Sequence, residues 1–359
     1  MDFDLNDEQK MLRESVQALL ADNNTHLALT RRNDGEPGLD RDLWLALCAM
    51  GLPAILPGEE QGGLGMGLLT LAVAAELAGR YAVSAPLAEH ALVVYAIASG
   101  GDDALRSRWL EPLLSGDKIA TIAWGEAGGR WLPEQWTLEA DDGRLGGTKT
   151  TVVYAAEADL ILVGLAGGEL AVVEMSAEGI TVAALEPVDR THPVATVTFA
   201  DTPCRALTGG LILAKQLYNA GLVLQAADSF GAAAHALDMS VEYAKTREQF
   251  GRLIGEFQGL KFQLANMALD MEPCRALYWY AAHAWDAIPD DAERAAAIAK
   301  AHIADLAVKT ARMAVECHGG IAITWEFALH IFLKRAMFNG VNLGLPGMHR
   351  GRSADLADW

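Results

Sequence analysis

Between residues 224 and 244 the apolar side chains Leu224, Ala227, Phe230, Ala234, Leu237, Val241 and Ala244 recur at steps of three and four. That spacing predicts a helix with one buried face. Leu260, Leu264, Met267, Met271 and Cys274 repeat the pattern, so a second helix follows. Gly251 and Gly255 stand between the two, where a tight turn needs backbone freedom. The corner also holds Arg247, Gln249, Phe250 and Gln258: a planar cationic fork, two amides and an aromatic face. Such a set suits a phosphate beside a flat heterocycle. It equally suits a surface hairpin closed by a helix-ending arginine, and residue types alone leave both open.

The same period runs through residues 6–114, which read as helices. Asn6 and Asp7 are candidate caps ahead of Met11, Leu12, Val16 and Leu19. Leu43, Leu45, Leu47 and Met50 follow, then a glycine-rich acidic loop whose Glu59 and Glu60 would repel a phosphate. A helix over 69–79 comes next, and Pro86 opens another. At 115–117 the texture changes to short, alternating, β-branched runs such as TKTTVVYA and GITVAAL, separated by Asp142-Gly143, Gly167-Gly168 and Glu178-Gly179. The helical period returns after residue 208, and the charged residues 289–294 read as a loop between two long helices. The expected fold is therefore α+β and multidomain. Residues 1–114 form an all-helical domain, 115–207 an antiparallel β-barrel or sandwich, and 208–359 a four-helix bundle.

Composition narrows the functions. The chain has 359 residues, enough for a large core in two or three domains. Its 28 basic and 47 acidic residues give a net charge of −19, and no Lys/Arg run appears, which argues against nucleic acid as a partner. An anionic ligand would need local arginines to overcome a repulsive overall field. Cys48, Cys204, Cys274 and Cys317 lie too far apart to suggest zinc or a disulfide framework. The opening MDFDLNDEQK is unlike a signal peptide, and the apolar stretch 68–83 carries Glu76 and Arg80 and is too short to span a bilayer. A soluble, cytoplasmic protein is expected.

Helices, a β-domain and a bundle containing TREQFGRLIGEFQ and ECHGGIAITWE resemble the acyl-CoA dehydrogenase family. GLPAILPGEEQGGLG and GTKTTVVYAAEADLILV resemble its early loop and its β-domain strand pair, so the likeness spans the whole chain. The resemblance implies FAD lying across a subunit interface. Arg247, Glu248, Gln249 and Phe250 would face the pyrophosphate, Phe257 and Gln258 the adenosine, and Glu316, Gly319 and Gly320 the second wall. Glu316 stands where the family usually has glutamine. The implied chemistry is α,β-dehydrogenation of an acyl-CoA thioester, in which a carboxylate takes the α-proton and flavin takes the β-hydride.

Three departures bear on that chemistry. Where the family places its base after the last helix, this chain has NLGLPG, with Leu343 at the carboxylate's place. The other family position, counted back from Arg247, falls on Leu222, followed by Val223. The usual Thr-Glu-Pro loop with its Ser-Asp pair is replaced by AWGEAGGRW, where Glu126 alone survives. This combination is similar to the FAD-contributing, non-catalytic subunit of bacterial heteromeric acyl-CoA dehydrogenases of sterol and bile-acid side-chain degradation. The likeness implies an unlike partner subunit in an α2β2 enzyme, or a homo-oligomer if the chain is isolated. Alternatives are a stand-alone flavoenzyme with Glu326 as base, and a flavin-free acyl-CoA-binding structural protein. His318 is a candidate phosphate or ribose donor, Lys334 and Arg335 candidate CoA contacts, and Trp124 and Trp131 neighbours of the flavin region.

Overall fold

The computed structural model describes residues 4–23, 26–33 and 38–357; the first three residues of the acidic opening lie outside it. Among the described residues six α-helices come first: α1 (Asp7–Asn23), α2 (His26–Asn33), α3 (Arg41–Ala49), α4 (Gly67–Arg80), α5 (Leu87–Gly100) and α6 (Asp103–Leu114). Asn6 does cap α1: its Oδ1 accepts from the Gln9 backbone N–H at 2.8 Å, and Gln9 Oε1 accepts in return from the Asn6 N–H at 3.0 Å. That reciprocal box satisfies two N–H groups that the first turn would otherwise leave unpaired.

Eight strands follow: β1 (Ala120–Ala123), β2 (Ala140–Asp141), β3 (Arg144–Val153), β4 (Leu160–Gly164), β5 (Leu170–Glu174), β6 (Ile180–Leu185), β7 (Val194–Pro203) and β8 (Arg205–Ala206). They form two four-stranded sheets, ordered β1-β4-β5-β8 and β2-β3-β7-β6. Apolar residues of both sheets, among them Leu145, Val152, Ile161, Val163, Val173, Val197 and Phe199, share one core. The expected antiparallel arrangement holds except for β1 and β4, which run parallel. Two strands separated by a long excursion through the other sheet can enter from the same end, which a tight hairpin forbids.

The C-terminal part contains α7 (Gly210–Thr246), a two-residue hairpin of β9 (Glu248–Gln249) and β10 (Arg252–Leu253), then α8 (Gln258–Ala287), α9 (Pro289–His318), α10 (Leu329–Val341) and α11 (Pro346–Asp355). Residues 289–294 are not a loop. Pro289 opens α9 with Asp290 and Asp291 in its first turn, and Ile288 is the only residue between α8 and α9. Proline suits the first helical position because its missing N–H is not needed there, and acids suit the positive end of the dipole. Helix α7 is buried on most of its circumference and lies directly on α4. A Cβ on Gly231 would come within 1.8 Å of the Glu76 carbonyl oxygen, so only glycine allows this approach. Among the described residues no helix is long and apolar enough to cross a membrane.

Candidate cofactor corner and a small cavity

Helix α7 ends at Arg247, whose backbone has already turned extended (φ −80°, ψ 126°). The β9–β10 hairpin then projects from the bundle, with Phe250 at its tip. Phe250 has a left-handed backbone (φ 55°) and is 94% exposed. A left-handed backbone is uncommon for a residue other than glycine. Arg247, Glu248, Gln249 and Gln258 are also exposed. Arg247 makes no side-chain ion pair among the described residues, whereas the neighbouring Arg252 lies over the Phe257 ring, 4.0 Å from its centroid. Phe250 and Phe257 meet edge-on, with centroids 6.2 Å apart.

The second motif reaches the same end of the bundle. His318, the last residue of α9, stacks on Tyr243 of α7 at 4.5 Å, and both contact Phe327. The His318 Nδ1–H donates to the Ala314 carbonyl at 2.8 Å, and burial lowers its pKa from the ordinary imidazole value. It therefore joins the two motifs as a packed neutral ring. Beyond it, Gly319 (φ 67°) and Gly320 are exposed, and a Cβ on either would meet nothing within 4 Å. The space over this turn is open to a ligand or a neighbouring chain. Glu316, exposed on the last turn of α9, lines a groove of about 730 Å³ with Arg312, Met337, Val341 and Leu345. Ile323 and Trp325 are exposed just past the glycines.

Deeper in the molecule, Leu343 lies in a cavity bounded by α4, α5, α7 and α10, which Gly221, Leu92, Trp124 and Glu89 also line. Leu343 has a left-handed backbone (φ 58°), and its carbonyl accepts from the Tyr218 hydroxyl at 2.6 Å and pairs with His349 Nε2 at 2.9 Å. Gly221 is the α7 position that faces it: a Cβ there would stand 3.2 Å from Leu343 Cδ1. This corrects the count that placed the helix position at Leu222, which is fully buried and does not line the cavity. One residue along a helix is a 100° rotation, enough to turn a side chain from the cavity into the core. The cavity measures about 50 Å³, against roughly 300–1,000 Å³ for an ordinary ligand pocket. As it stands, it has room for a few waters and none for an acyl chain.

Other residues singled out from the sequence fall elsewhere. Arg335 is 2% exposed and cannot reach a CoA phosphate. Its Nε and Nη2 donate to the two Asp228 carboxylate oxygens at 2.8 and 2.6 Å, and Nη1 donates to the Val83 carbonyl and the Thr191 hydroxyl. Glu326 is exposed, and its own backbone N–H and the Thr324 hydroxyl hold its pKa below the usual carboxylate value. A base in a dry pocket needs the opposite shift. Lys334 lies 6.0 Å from the Trp325 ring centroid.

In the β-domain, Glu126 is buried and accepts from the Thr137 N–H and hydroxyl, the Leu138 N–H and Lys149 Nζ. Burial alone would raise its pKa, but these donors pull it below the usual value. Burial also pushes Lys149 down to about 8, against the pull of Glu126. Trp131 lies over Gly125, where a Cβ would come within 2.9 Å of the ring, and Trp124 packs 5.9 Å from both Trp136 and Tyr218. Glu126 is thus spent on holding its own loop, and the tryptophans fill the surrounding space. The Lys149 partnership was invisible in the sequence, since nothing local distinguishes this lysine from an exposed strand residue.

Family models match at both ends: the acyl-CoA dehydrogenase N-terminal domain over residues 6–117 and its C-terminal domain over 208–355. The chain is 31% identical to acyl-CoA dehydrogenase IpdE2 of Mycolicibacterium smegmatis over 343 residues, covering 95% of this chain and 96% of that one. The chain belongs to the acyl-CoA dehydrogenase family. Among solved members, the ChsE4–ChsE5 complex from Mycobacterium tuberculosis superposes with a TM-score of 0.91 at 26% identity, covering 99% of this chain and 98% of that one. A variant of the Tcur3481–Tcur3483 steroid ACAD gives 0.89 at 28%, with 97% of each chain covered. FAD is the cofactor of this family, and PigA, similar to this chain at 25% identity and TM-score 0.88 over 99% of this chain and 98% of that one, has been solved with FAD and proline. The family places the chain among oxidoreductases acting on CH–CH donors.

Proposed function

We propose that this chain is the FAD-contributing, non-catalytic subunit of a heteromeric acyl-CoA dehydrogenase, paired with an unlike subunit that supplies the base. The observation that carries this is the cavity at Leu343. The two places counted from the family motifs are held by Leu343 and by Gly221 opposite it, neither of them acidic, in a cavity of about 50 Å³. Leucine and glycine cannot accept a proton.

The two halves of a flavin site differ in how well this chain fits them. For the ADP half, the exposed Arg247 guanidinium, the projecting Phe250 and the open backbone of Gly319 and Gly320 suit a pyrophosphate and a heterocycle. Glu248, Gln249, Phe257 and Gln258 would complete that half. Phe257 already carries Arg252 on one face, which leaves its other face or its edge for the cofactor. Glu316 would sit at the margin, where its charge disfavours phosphate and suits a ribose hydroxyl. For the ring half, Glu126 is engaged by Lys149 and Trp131 lies over Gly125, which counts against this loop as a flavin-ring contact. FAD supplies the hydride acceptor of the family's reaction; this chain's own residues would bind and orient its nucleotide end. The ChsE4–ChsE5 and Tcur3481–Tcur3483 relatives, each named as a pair, support the assignment of an unlike partner. A two-plus-two heterotetramer acting on a steroid-derived acyl-CoA is the form we favour.

Co-expression with the candidate partner tests this. The joint preparation should carry flavin absorbance, and the chain alone should be nearly colourless. A colourless joint preparation would instead point to a flavin-free protein. Phe250→Ala, at an exposed position, should change the stability of the isolated chain by less than about 0.5 kcal/mol. It should weaken FAD binding by the assembled enzyme by about 1–3 kcal/mol if the ring stacks on the cofactor, measurable as flavin fluorescence on titration.

A further inference from the structure

Three parts of the chain meet around the small cavity at Leu343, and each brings ionisable groups. Helix α5 brings Glu89, α7 brings Asp228 and α10 brings Arg335, all lining the cavity. The connection from β6 to β7 brings His192, also in the lining, and Asp189 behind it. That connection is fastened through this cluster. Asp189 accepts from the Thr191 N–H and hydroxyl and holds His192 Nδ1 at 2.7 Å. The His192 ring stacks on Phe338 of α10 at 5.0 Å, Tyr154 donates its hydroxyl to the Thr191 carbonyl at 2.7 Å, and Arg335 donates to the Thr191 hydroxyl.

Every ionisable group in the cluster has a side-chain partner except Glu89. Asp228 pairs with Arg335 and also accepts from Asn339 Nδ2 at 2.6 Å, and Asp189 pairs with His192. Glu89 accepts only from its own backbone N–H among the described residues. It keeps partial access at the cavity, yet surrounding atoms strip it of water. An ionised Glu89 would add a negative charge facing Asp228, with the attraction of Arg335 and His192 already directed to other carboxylates. Desolvation and Asp228 accordingly raise its pKa, against His192, Arg335 and its own N–H. Asp189 is shifted the other way: burial alone would raise it, but His192, Arg335 and Thr191 outweigh that and hold it low. Asp189, which fastens the connection, is therefore shifted in the opposite sense to Glu89.

We propose that this junction is a proton-operated joint between the β-domain and the two helical parts. With Glu89 neutral, the connection carrying Asp189, Thr191 and His192 stays seated on α10 and on Ser84 ahead of α5. When Glu89 loses its proton, the cavity takes in water and the connection loosens. The sign follows from linkage. A carboxyl raised in the folded state contributes stability that is complete below its unfolded value, about 4.3, and lost as pH rises through the folded value.

Amide hydrogen exchange on the full chain tests the joint at the Thr191, His192 and Tyr154 N–H groups, bonded to Asp189 and Pro193. In the wild type, protection factors should fall as the pH rises from about 5 to about 8. In Glu89→Gln, an isosteric and permanently neutral variant, they should stay level and exceed the wild type at the upper end. Equal pH profiles in the two proteins would overturn the proposal. If the variant fails to fold, a flat wild-type profile at these three amides would overturn it as well.

Discussion

Arg247→Ala should weaken FAD binding by the assembled enzyme by roughly 10- to 100-fold, while leaving the fold of the isolated chain intact. Hydrogen bonds to a charged group contribute about 1.5–3 kcal/mol each way of counting, and a guanidinium can meet a phosphate through two of them. One such loss corresponds to about a tenfold to hundredfold change in Kd. The folded chain should not register the change, because Arg247 is exposed and makes no ion pair among the described residues. Its backbone N–H still donates to Tyr243 and its carbonyl still accepts from Ile254 whatever the side chain. Arg247→Lys should recover only part of the affinity, since an ammonium is a point charge without the planar fork. Titrating FAD into the co-purified enzyme measures the loss, and thermal melts of the flavin-free chain provide the control. A variant that binds FAD as tightly as the wild type would remove Arg247 from the site.

The second large effect concerns stability. Asp228→Ala should lower it by about 3–5 kcal/mol, because it strands the Arg335 guanidinium in the interior. Arg335 is almost fully enclosed and donates two of its hydrogen bonds to this one carboxylate. Asn339 loses its acceptor in the same step. Replacing both charged partners with apolar residues of similar volume should cost much less, since neither change then leaves a buried charge alone. Denaturant midpoints of the two single variants and the double variant give the comparison. If the double falls as far as the singles, the cost is the loss of the pair itself rather than of a stranded charge.

The order of helical, β and helical parts was legible because the hydrophobic period changes twice, near residues 115 and 208. The corner at 247–258 was legible because one short stretch combines two glycines with an arginine and aromatic residues. What the sequence hid was mostly pairing across long separations. Arg335 reads as a basic residue near a helix end, yet its partner Asp228 lies 107 positions away. Lys149 reads as an outward strand residue, but Glu126 draws it fully inside. Residues 289–294 read as a loop because they are charged, when the same acids favour the start of a helix. Counting positions from a motif located Leu343 in the cavity but missed α7 by one residue, taking Leu222 for Gly221. Glu89 gave no local signal, because a lone glutamate in an apolar helix acquires meaning only from what packs around it.

The function proposed for this chain is to hold part of the cofactor and leave proton removal to another subunit. The most direct measurement is enoyl-CoA formation from an acyl-CoA, with FAD and an artificial electron acceptor present, by the chain alone and by the chain co-purified with its unlike partner. The account predicts no turnover above background for the chain alone and turnover for the pair. An isolated chain that oxidises acyl-CoA at a rate comparable to the pair would contradict it.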